Sequence, residues 1–170
     1  MALRKSVNDS DHIRGNPFGK IELIEYGVFQ CPYCGAAFPL VEKLMDEYGD
    51  EIKFTFRNFP LSKVHPSAKL AAQAAEAAAL QNKFWEMHFS LFSDQKHLLQ
   101  HHVFERAERL QLDMQKFAAD MEDEKLTKKI EDEFYDGLRS GVNRTPTFFV
   151  NGQHYDGEPS SLGDFIRSIL

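Results

Sequence analysis

The two cysteines of the chain are the residues most suited to chemistry. They stand three positions apart in Cys31-Pro32-Tyr33-Cys34, after an apolar run and at the start of a predicted helix. A thiol at a helix N-terminus meets the positive end of the helix dipole and unpaired backbone N–H groups, which favour the thiolate. Cys31 is therefore the predicted nucleophile for thiol–disulfide exchange. Cys34, one turn further on, could attack a mixed disulfide at Cys31 and is the predicted resolving cysteine.

The same pair is also compatible with a zinc site or a structural disulfide. Structural zinc needs four ligands, and the chain has no second cysteine pair. His97, His101 and His102 could supply nitrogen ligands, but nothing in the sequence brings them to Cys31, and their polar surroundings favour a solvated helix face. We therefore predict no metal. A disulfide between positions so close in sequence would close a very short loop, so it would add little chain-entropy stabilisation.

Length and composition indicate one globular domain. The chain has 170 residues, 42% of them hydrophobic and 15 of them phenylalanine, which is enough for a full core. A formal charge of −6 argues against a surface built for phosphate contacts, so no nucleic-acid partner is expected. No apolar run approaches the ~20 residues of a membrane span, and residues 1–19 have no apolar signal-peptide core. We therefore expect a cytoplasmic monomer without a membrane partner.

Hydrophobic periodicity predicts strands and helices around the cysteines. Residues 21–26 form a short β-rich apolar run and are predicted to be a central strand. From Pro32 to Tyr48 apolar residues recur every three or four positions and predict an amphipathic helix, with Pro39 inside it. Residues 52–57 alternate between apolar and polar types, which predicts a strand with one buried face.

The second half of the chain is predicted to be a helical block followed by a hairpin and a last helix. Alanine-rich and aromatic amphipathic stretches fill the segment between Pro66 and Gly141. The run 147–150 precedes Asn151-Gly152, a strong hairpin signal. Residues 162–170 follow the helical apolar template. The predicted order is strand, helix, strand, helical block, hairpin, helix.

This combination resembles the thioredoxin fold, and within it the DsbA-like thiol–disulfide oxidoreductases, over residues 20–170. The resemblance rests on the strand, the CPYC sequence, the proline-containing helix, the helical insertion and Thr145-Pro146-Thr147-Phe148-Phe149-Val150-Asn151-Gly152. It implies an α/β thioredoxin fold with a helical subdomain (66–141) inserted between a βαβ half (20–65) and a ββα half (142–170), after an N-terminal extension (1–19). It also implies an enzyme in which Cys31 is the nucleophile and Cys34 the resolving cysteine.

Further site residues follow from the resemblance. Pro146 matches the proline that is cis in this fold and packs beside the sulfurs, which leaves the backbone of Thr145 free to pair with a bound peptide. Glu25 matches the buried acid beneath the active site, where a carboxylate could exchange a proton with Cys34. The alternative is that Glu25 faces solvent, because Glu22 occupies the opposite face of the same strand.

Aromatic and proline residues next to the cysteines are predicted to contact substrate or to adjust the redox potential. Phe29 and Tyr33 would flank the sulfurs as an apolar rim for a peptide, with a core position as the alternative. Pro32-Tyr33 is the dipeptide of glutaredoxins and differs from the Pro-His of strongly oxidising DsbA proteins and the Gly-Pro of thioredoxin. Because roughly 30 mV corresponds to about 1.4 kcal/mol in this chemistry, one residue can change the redox direction. We expect an intermediate potential.

Three functions are compatible with the sequence. The first is an oxidoreductase that exchanges disulfides with protein thiols and needs no cofactor beyond its own Cys31–Cys34 couple. The second is a glutathione-linked reductase of the same chemistry, with glutathione as co-substrate. The third is a non-catalytic peptide-binding or chaperone module that uses the groove beside the cysteines.

Overall fold

A five-stranded sheet and seven helices account for most of the chain in a computed structural model that describes residues 1–170. The strands are β1 (Ile13–Gly15), β2 (Ile21–Gly27), β3 (Ile52–Asn58), β4 (Thr147–Val150) and β5 (Gln153–His154). The helices are α1 (Pro32–Tyr48), α2 (Ala68–Ala79), α3 (Phe84–Ser93), α4 (Gln100–Arg109), α5 (Met114–Met121), α6 (Glu124–Arg139) and α7 (Leu162–Ile169). The predicted order of elements is confirmed, and β1 is an additional strand that the sequence did not indicate.

The strand order is β1-β3-β2-β4-β5, so β2 lies at the centre of the sheet, as predicted. Strands β2 and β3 are parallel and are joined by the crossover helix α1, whereas every other pair is antiparallel. The C-terminal end of β2 and the N-terminal end of β4 therefore lie next to each other, where Tyr26 pairs with Thr147. This arrangement brings the cysteines, which follow β2, towards Thr145 and Pro146, which precede β4.

Helices α2 to α6 all lie between β3 and β4 in the chain. Helix α2 buries most of its alanines, whose small side chains allow α3 and α6 to approach closely. Helix α3 contributes His88 and Phe92 to an aromatic cluster with Phe29 of the loop after β2 and Phe56 of β3. The helical segment is thus packed directly against the elements that carry the cysteines.

Strand β3 is buried on both faces, so the prediction of one buried face was wrong. Thr55 and Arg57, at the polar positions of the alternating pattern, are fully buried. The Arg57 guanidinium donates to both carboxylate oxygens of Asp11 at 2.8 Å and to the backbone carbonyls of residues 5 and 6. The N-terminal segment supplies these partners and so allows a charged residue to be buried in the sheet.

Residues 1–19, predicted as an extension, are part of the sheet architecture. Ala2 forms a bridge to Gln153 at one edge, and the N–H of Leu3 donates to the carbonyl of Gly152 at 2.9 Å. Strand β1 pairs with β3 at the opposite edge. The segment therefore passes from one edge of the sheet to the other and covers Arg57 on the way.

Replacing Asp11 tests this covering interaction. We expect Asp11→Ala to lower the free energy of unfolding by about 3 kcal/mol, because the Arg57 charge would stay buried without its carboxylate. Asp132→Ala is the matched control, since Asp132 pairs with Lys128 on the exposed surface of α6 and should have a much smaller effect on stability. Urea denaturation measures both, and equal effects would contradict a structural role for the buried pair.

Candidate active site

The two cysteines occupy the N-terminus of α1. Cys31 is the N-cap residue with extended backbone, Pro32 is the first helical residue, and Cys34 lies in the first turn. Proline suits this first position because its missing N–H would have no helical partner there. Both cysteines are free thiols, and both are buried. The local sequence therefore places the Cys31 sulfur at the N-terminus of the helix and the Cys34 sulfur in its first turn.

The two thiols have opposite acidities. A hydrogen bond from Cys34, helped by the backbone N–H groups of Cys34 and Tyr33, lowers the pKa of Cys31 to about 5, although burial acts in the other direction. Burial raises the pKa of Cys34 above its ordinary value, and the hydrogen bond to Cys31 and the charge of Glu25 act in the same direction. At neutral pH Cys31 is therefore a thiolate and Cys34 a thiol.

A buried carboxyl lies beneath this pair. Glu25 of β2 is 2% exposed, and burial together with the charge on Cys31 raises its pKa to about 8. Gly27 leaves room for the Phe56 ring and for this carboxyl, since a Cβ at that position would lie 2.5 Å from the ring and 3.1 Å from Glu25 Oε1. Glu22, the competing residue, instead pairs with Lys53 at 2.7 Å on the opposite face. Glu25 and not Glu22 is thus the acid near the cysteines.

The turn before β4 completes the site from the other half of the chain. The Thr145–Pro146 peptide bond is cis. The carbonyl oxygen of Thr145 lies 3.7 Å from the Cys31 sulfur. The hydroxyl of Thr147 donates to the carbonyl of Arg144 at 2.8 Å and holds the turn. The structure thus brings Cys31 and the two predicted turn residues together across 114 positions of sequence.

Tyr33 and Phe29 have different surroundings, and the rim prediction for Phe29 was wrong. Tyr33 is 74% exposed and lines a groove of about 460 Å³ that continues along Thr145, Pro146 and Tyr155. Phe29 is 1% exposed, because α3 covers it and its ring packs against other aromatic rings. Phe29 therefore supports the site from below and cannot contact a substrate in the groove.

The sequence profile of thioredoxin matches residues 7–167, which is nearly the whole chain. The chain belongs to the thioredoxin family. This membership agrees with the CxxC helix start and the cis-proline turn that face each other across the site.

Solved structures confirm the predicted thioredoxin fold. A thioredoxin-like oxidoreductase from Silicibacter pomeroyi superposes with a TM-score of 0.84 and 27% identity, covering 95% of this chain and 93% of that one. The thiol-disulfide exchange protein α-DsbA2 of Wolbachia pipientis gives 0.84 at 16% identity, covering 96% and 89%. BdbD of Bacillus subtilis gives 0.83 at 20% identity, covering 99% and 95%. The thioredoxin fold described here is thus the one that these structures share.

The curated relatives are named as Na(+)/H(+) antiporters, and they are much longer than this chain. The Na(+)/H(+) antiporter NhaA 3 of Salinispora tropica is 42% identical over 88% of this chain, which corresponds to 23% of its own length. NhaA 1 of Mycolicibacterium gilvum is 36% identical over 98% of this chain and 27% of its own length. The chain thus spans about a quarter of these relatives. None of its helices combines the length and apolar character needed to cross a bilayer.

The histidines that could have completed a zinc site lie on the surface of the helical segment. His97 pairs with Asp94 at 2.7 Å, and His102 Nδ1 accepts the N–H of Leu99 at the start of α4. No group of three or more histidine, cysteine, aspartate or glutamate side chains is arranged to hold a metal ion. The histidines are engaged in local contacts at the beginning of α4.

Gln95 contacts the residues around Cys31, and the sequence analysis did not identify it as part of the site. The side-chain amide of Gln95, in the loop between α3 and α4, donates to the carbonyls of Phe29 at 2.8 Å and Cys31 at 2.9 Å. Gln95 lies 64 positions from Cys31 in a polar stretch without a motif. Only the packing of the helical segment against the site reveals it.

The difference in acidity can be measured by titrating the reduced protein. We expect the ultraviolet absorbance of the thiolate to rise with a midpoint near pH 5, because Cys31 ionises there. Cys34→Ala should move the midpoint upward, since the Cys34 hydrogen bond is the largest influence lowering the Cys31 pKa. Cys31→Ser should abolish the transition, and a midpoint near pH 9 in the wild type would contradict the assignment of the nucleophile.

Proposed function

We propose that the chain is a dithiol–disulfide oxidoreductase that exchanges disulfides with protein thiols through Cys31 and Cys34. The observation that supports this most directly is the contrast between the two thiols. The pKa of Cys31 is lowered to about 5 and that of Cys34 is raised, although they lie in the same helical turn. A nucleophile that is ionised at rest and a second thiol held in reserve are what sequential disulfide exchange requires.

In the first step the Cys31 thiolate attacks one sulfur of a substrate disulfide. A bond forms between Cys31 and that sulfur, the substrate S–S bond breaks, and the other substrate sulfur leaves as a thiolate. The groove along Tyr33, Thr145 and Pro146 lies beside the nucleophile, and an extended peptide there could pair with the backbone of Thr145. Backbone pairing would position substrates of many sequences in the same way.

In the second step Cys34 loses its proton and attacks the Cys31 sulfur. The Cys31–Cys34 disulfide forms, and the substrate leaves with its second sulfur as a thiolate, so the substrate gains two electrons and the enzyme loses two. The buried Glu25 carboxylate accepts the Cys34 proton, because burial raises its pKa and so lets it change protonation state near neutral pH. Reversal of both steps transfers the disulfide to a dithiol substrate.

The electron partner and the direction depend on the redox potential. The intervening Pro32-Tyr33 supports an intermediate potential, and in a reducing cytoplasm an enzyme with such a potential would act as a reductase, with glutathione as the second candidate substrate. Thiol trapping after equilibration with glutathione buffers measures the potential. A value well above that of the glutathione pool would contradict the cytoplasmic reductase and favour a disulfide donor.

Single cysteine variants test the proposed roles. We expect Cys34→Ser to accumulate a mixed disulfide with a protein substrate, because nothing then releases it, and Cys31→Ser to form none. Mass spectrometry of the trapped species measures both. Sustained turnover of oxidised glutathione by Cys34→Ser would favour the glutathione-linked reductase. Client binding without any reversible dithiol couple in the wild type would favour the peptide-binding module instead.

A glutamate pair on β2 tests the proton acceptor. We expect Glu25→Gln to slow the resolving step by about 100-fold, because Gln cannot accept the Cys34 proton. In the wild type that step should accelerate as pH rises through the pKa of Glu25, which burial raises above its ordinary value but which should lie below the value of about 8 in the reduced protein, because Cys31 carries no charge in the mixed disulfide. Glu22→Gln is the control on the same strand and should change neither the rate nor its pH profile. Rapid-mixing measurements that found the same profile in Glu25→Gln would overturn this role.

A further inference from the structure

Gln95, from the helical segment, forms hydrogen bonds with the backbone at and just before the predicted nucleophile Cys31. The side-chain amide of Gln95 donates one hydrogen bond to the Phe29 carbonyl at 2.8 Å and another to the Cys31 carbonyl at 2.9 Å. The Cys31 carbonyl also accepts the N–H of Gly35 at 3.0 Å, which closes the first turn of α1. Both donors of one amide are thus used to fix the residues on either side of the turn that leads into α1.

The loop that carries Gln95 is itself held by a buried arginine. The side chain of Arg106 is 3% exposed, and it donates to the carbonyls of Asp94 at 2.8 Å and His97 at 2.6 Å. These carbonyls lie immediately before and shortly after Gln95. Because a guanidinium presents its donors in a rigid plane, it fixes the path of the loop more firmly than a flexible ammonium would. Gln95 therefore approaches the cysteines from a fixed support.

The fit between Gln95 and α1 depends on a residue without a side chain. A Cβ added at Gly35 would overlap Oε1 of Gln95 and lie 2.6 Å from its Cδ. The backbone of Gly35 is helical and imposes no need for glycine, since it is not among the glycines with positive φ. The glycine at this position therefore makes room for the amide of Gln95.

We propose that Gln95 is a positioning residue for thiol–disulfide exchange, which holds the Phe29 and Cys31 carbonyls so that the first-turn N–H groups of α1 face the Cys31 sulfur. This inference rests on the proposed function. Those N–H groups, from Tyr33 and Cys34, are among the influences that lower the pKa of Cys31. If the turn loosens, the thiolate loses part of this stabilisation, and the reduced form of the couple becomes less favourable relative to the disulfide.

Replacement of Gln95 by alanine tests the inference through two readouts that general destabilisation would not move. We expect the titration midpoint of Cys31 in Gln95→Ala to rise by ~0.5 pH unit or more. We expect the equilibrium with glutathione to shift towards the Cys31–Cys34 disulfide by about threefold or more, since a half-unit change in pKa corresponds to that factor. Both are measured on the folded protein, by thiolate absorbance and by thiol trapping.

Gln81 offers a matched control, because its side-chain amide also forms two hydrogen bonds with backbone groups. Its amide donates to the Asp113 carbonyl at 3.1 Å and its Oε1 accepts the Asp113 N–H at 2.8 Å, within the helical segment and away from the cysteines. We expect Gln81→Ala to lower stability without changing the Cys31 titration or the glutathione equilibrium. If Gln95→Ala and Gln81→Ala gave the same titration and equilibrium as the wild type, Gln95 would be merely structural and the inference would fail.

Substitution at Gly35 gives an independent test if Gln95→Ala does not fold. Gly35→Ala suits a helix and displaces only the end of a flexible side chain, so it should fold and reproduce the rise in the Cys31 midpoint. Where Gln95→Ala does fold, adding Gly35→Ala to it should give no further shift, because no amide remains to be displaced. An unchanged midpoint in Gly35→Ala overturns the inference. A wild-type protein without a reversible couple would instead overturn the proposed function.

Discussion

The pairing register between β2 and β4 determines the geometry of the candidate active site. Cys31 follows β2 and Thr145 precedes β4, so the strands, with Tyr26 opposite Thr147, decide where the two segments emerge from the sheet. A slip of one residue would displace the Thr145 carbonyl by about 3.3 Å and turn the β4 side chains to the opposite face. The side chains of β4 pack alternately into two separate core clusters, so such a slip would also exchange their surroundings. The packing of the core thus maintains the distance between the thiol and the cis-proline turn.

The buried groups Glu76, Arg57 and Glu25 differ in whether a partner of opposite charge lies beside them. Glu76 is held by His12 at 2.8 Å and Lys129 at 2.9 Å, which lower its pKa against the effect of burial. Arg57 is likewise matched by the Asp11 carboxylate. Glu25 differs, because both burial and the Cys31 charge raise its pKa. Paired charges stabilise the interior in one protonation state, whereas a carboxyl with an uncompensated environment changes state near neutral pH and can carry a proton.

The features that depend on local pattern were predicted from the sequence, and those that depend on distant packing were not. The helix start at the cysteines, the central strand and the hairpin follow from periodicity, turn residues and the family resemblance. The strand that contains Arg57 was found, but its second buried face depends on Asp11, which lies 46 residues earlier. Phe29 was predicted at the surface because the sequence does not show that α3 covers it. Gln95 could not be identified from the sequence, since a single glutamine in a polar loop gives no indication of which distant backbone carbonyls it contacts.

The long separation in sequence between β2 and β4 has a consequence for how the protein is made. The central strand β2 is complete early in synthesis, and its parallel neighbour β3 follows shortly after the CPYC helix. The other edge of β2 stays unpaired until β4, at residues 147–150, has been synthesised. An open, apolar strand edge is a template for pairing with other chains. A nascent chain therefore carries an exposed strand edge next to two free thiols until β4 has been made, and this edge is protected against aggregation only when β4 joins the sheet.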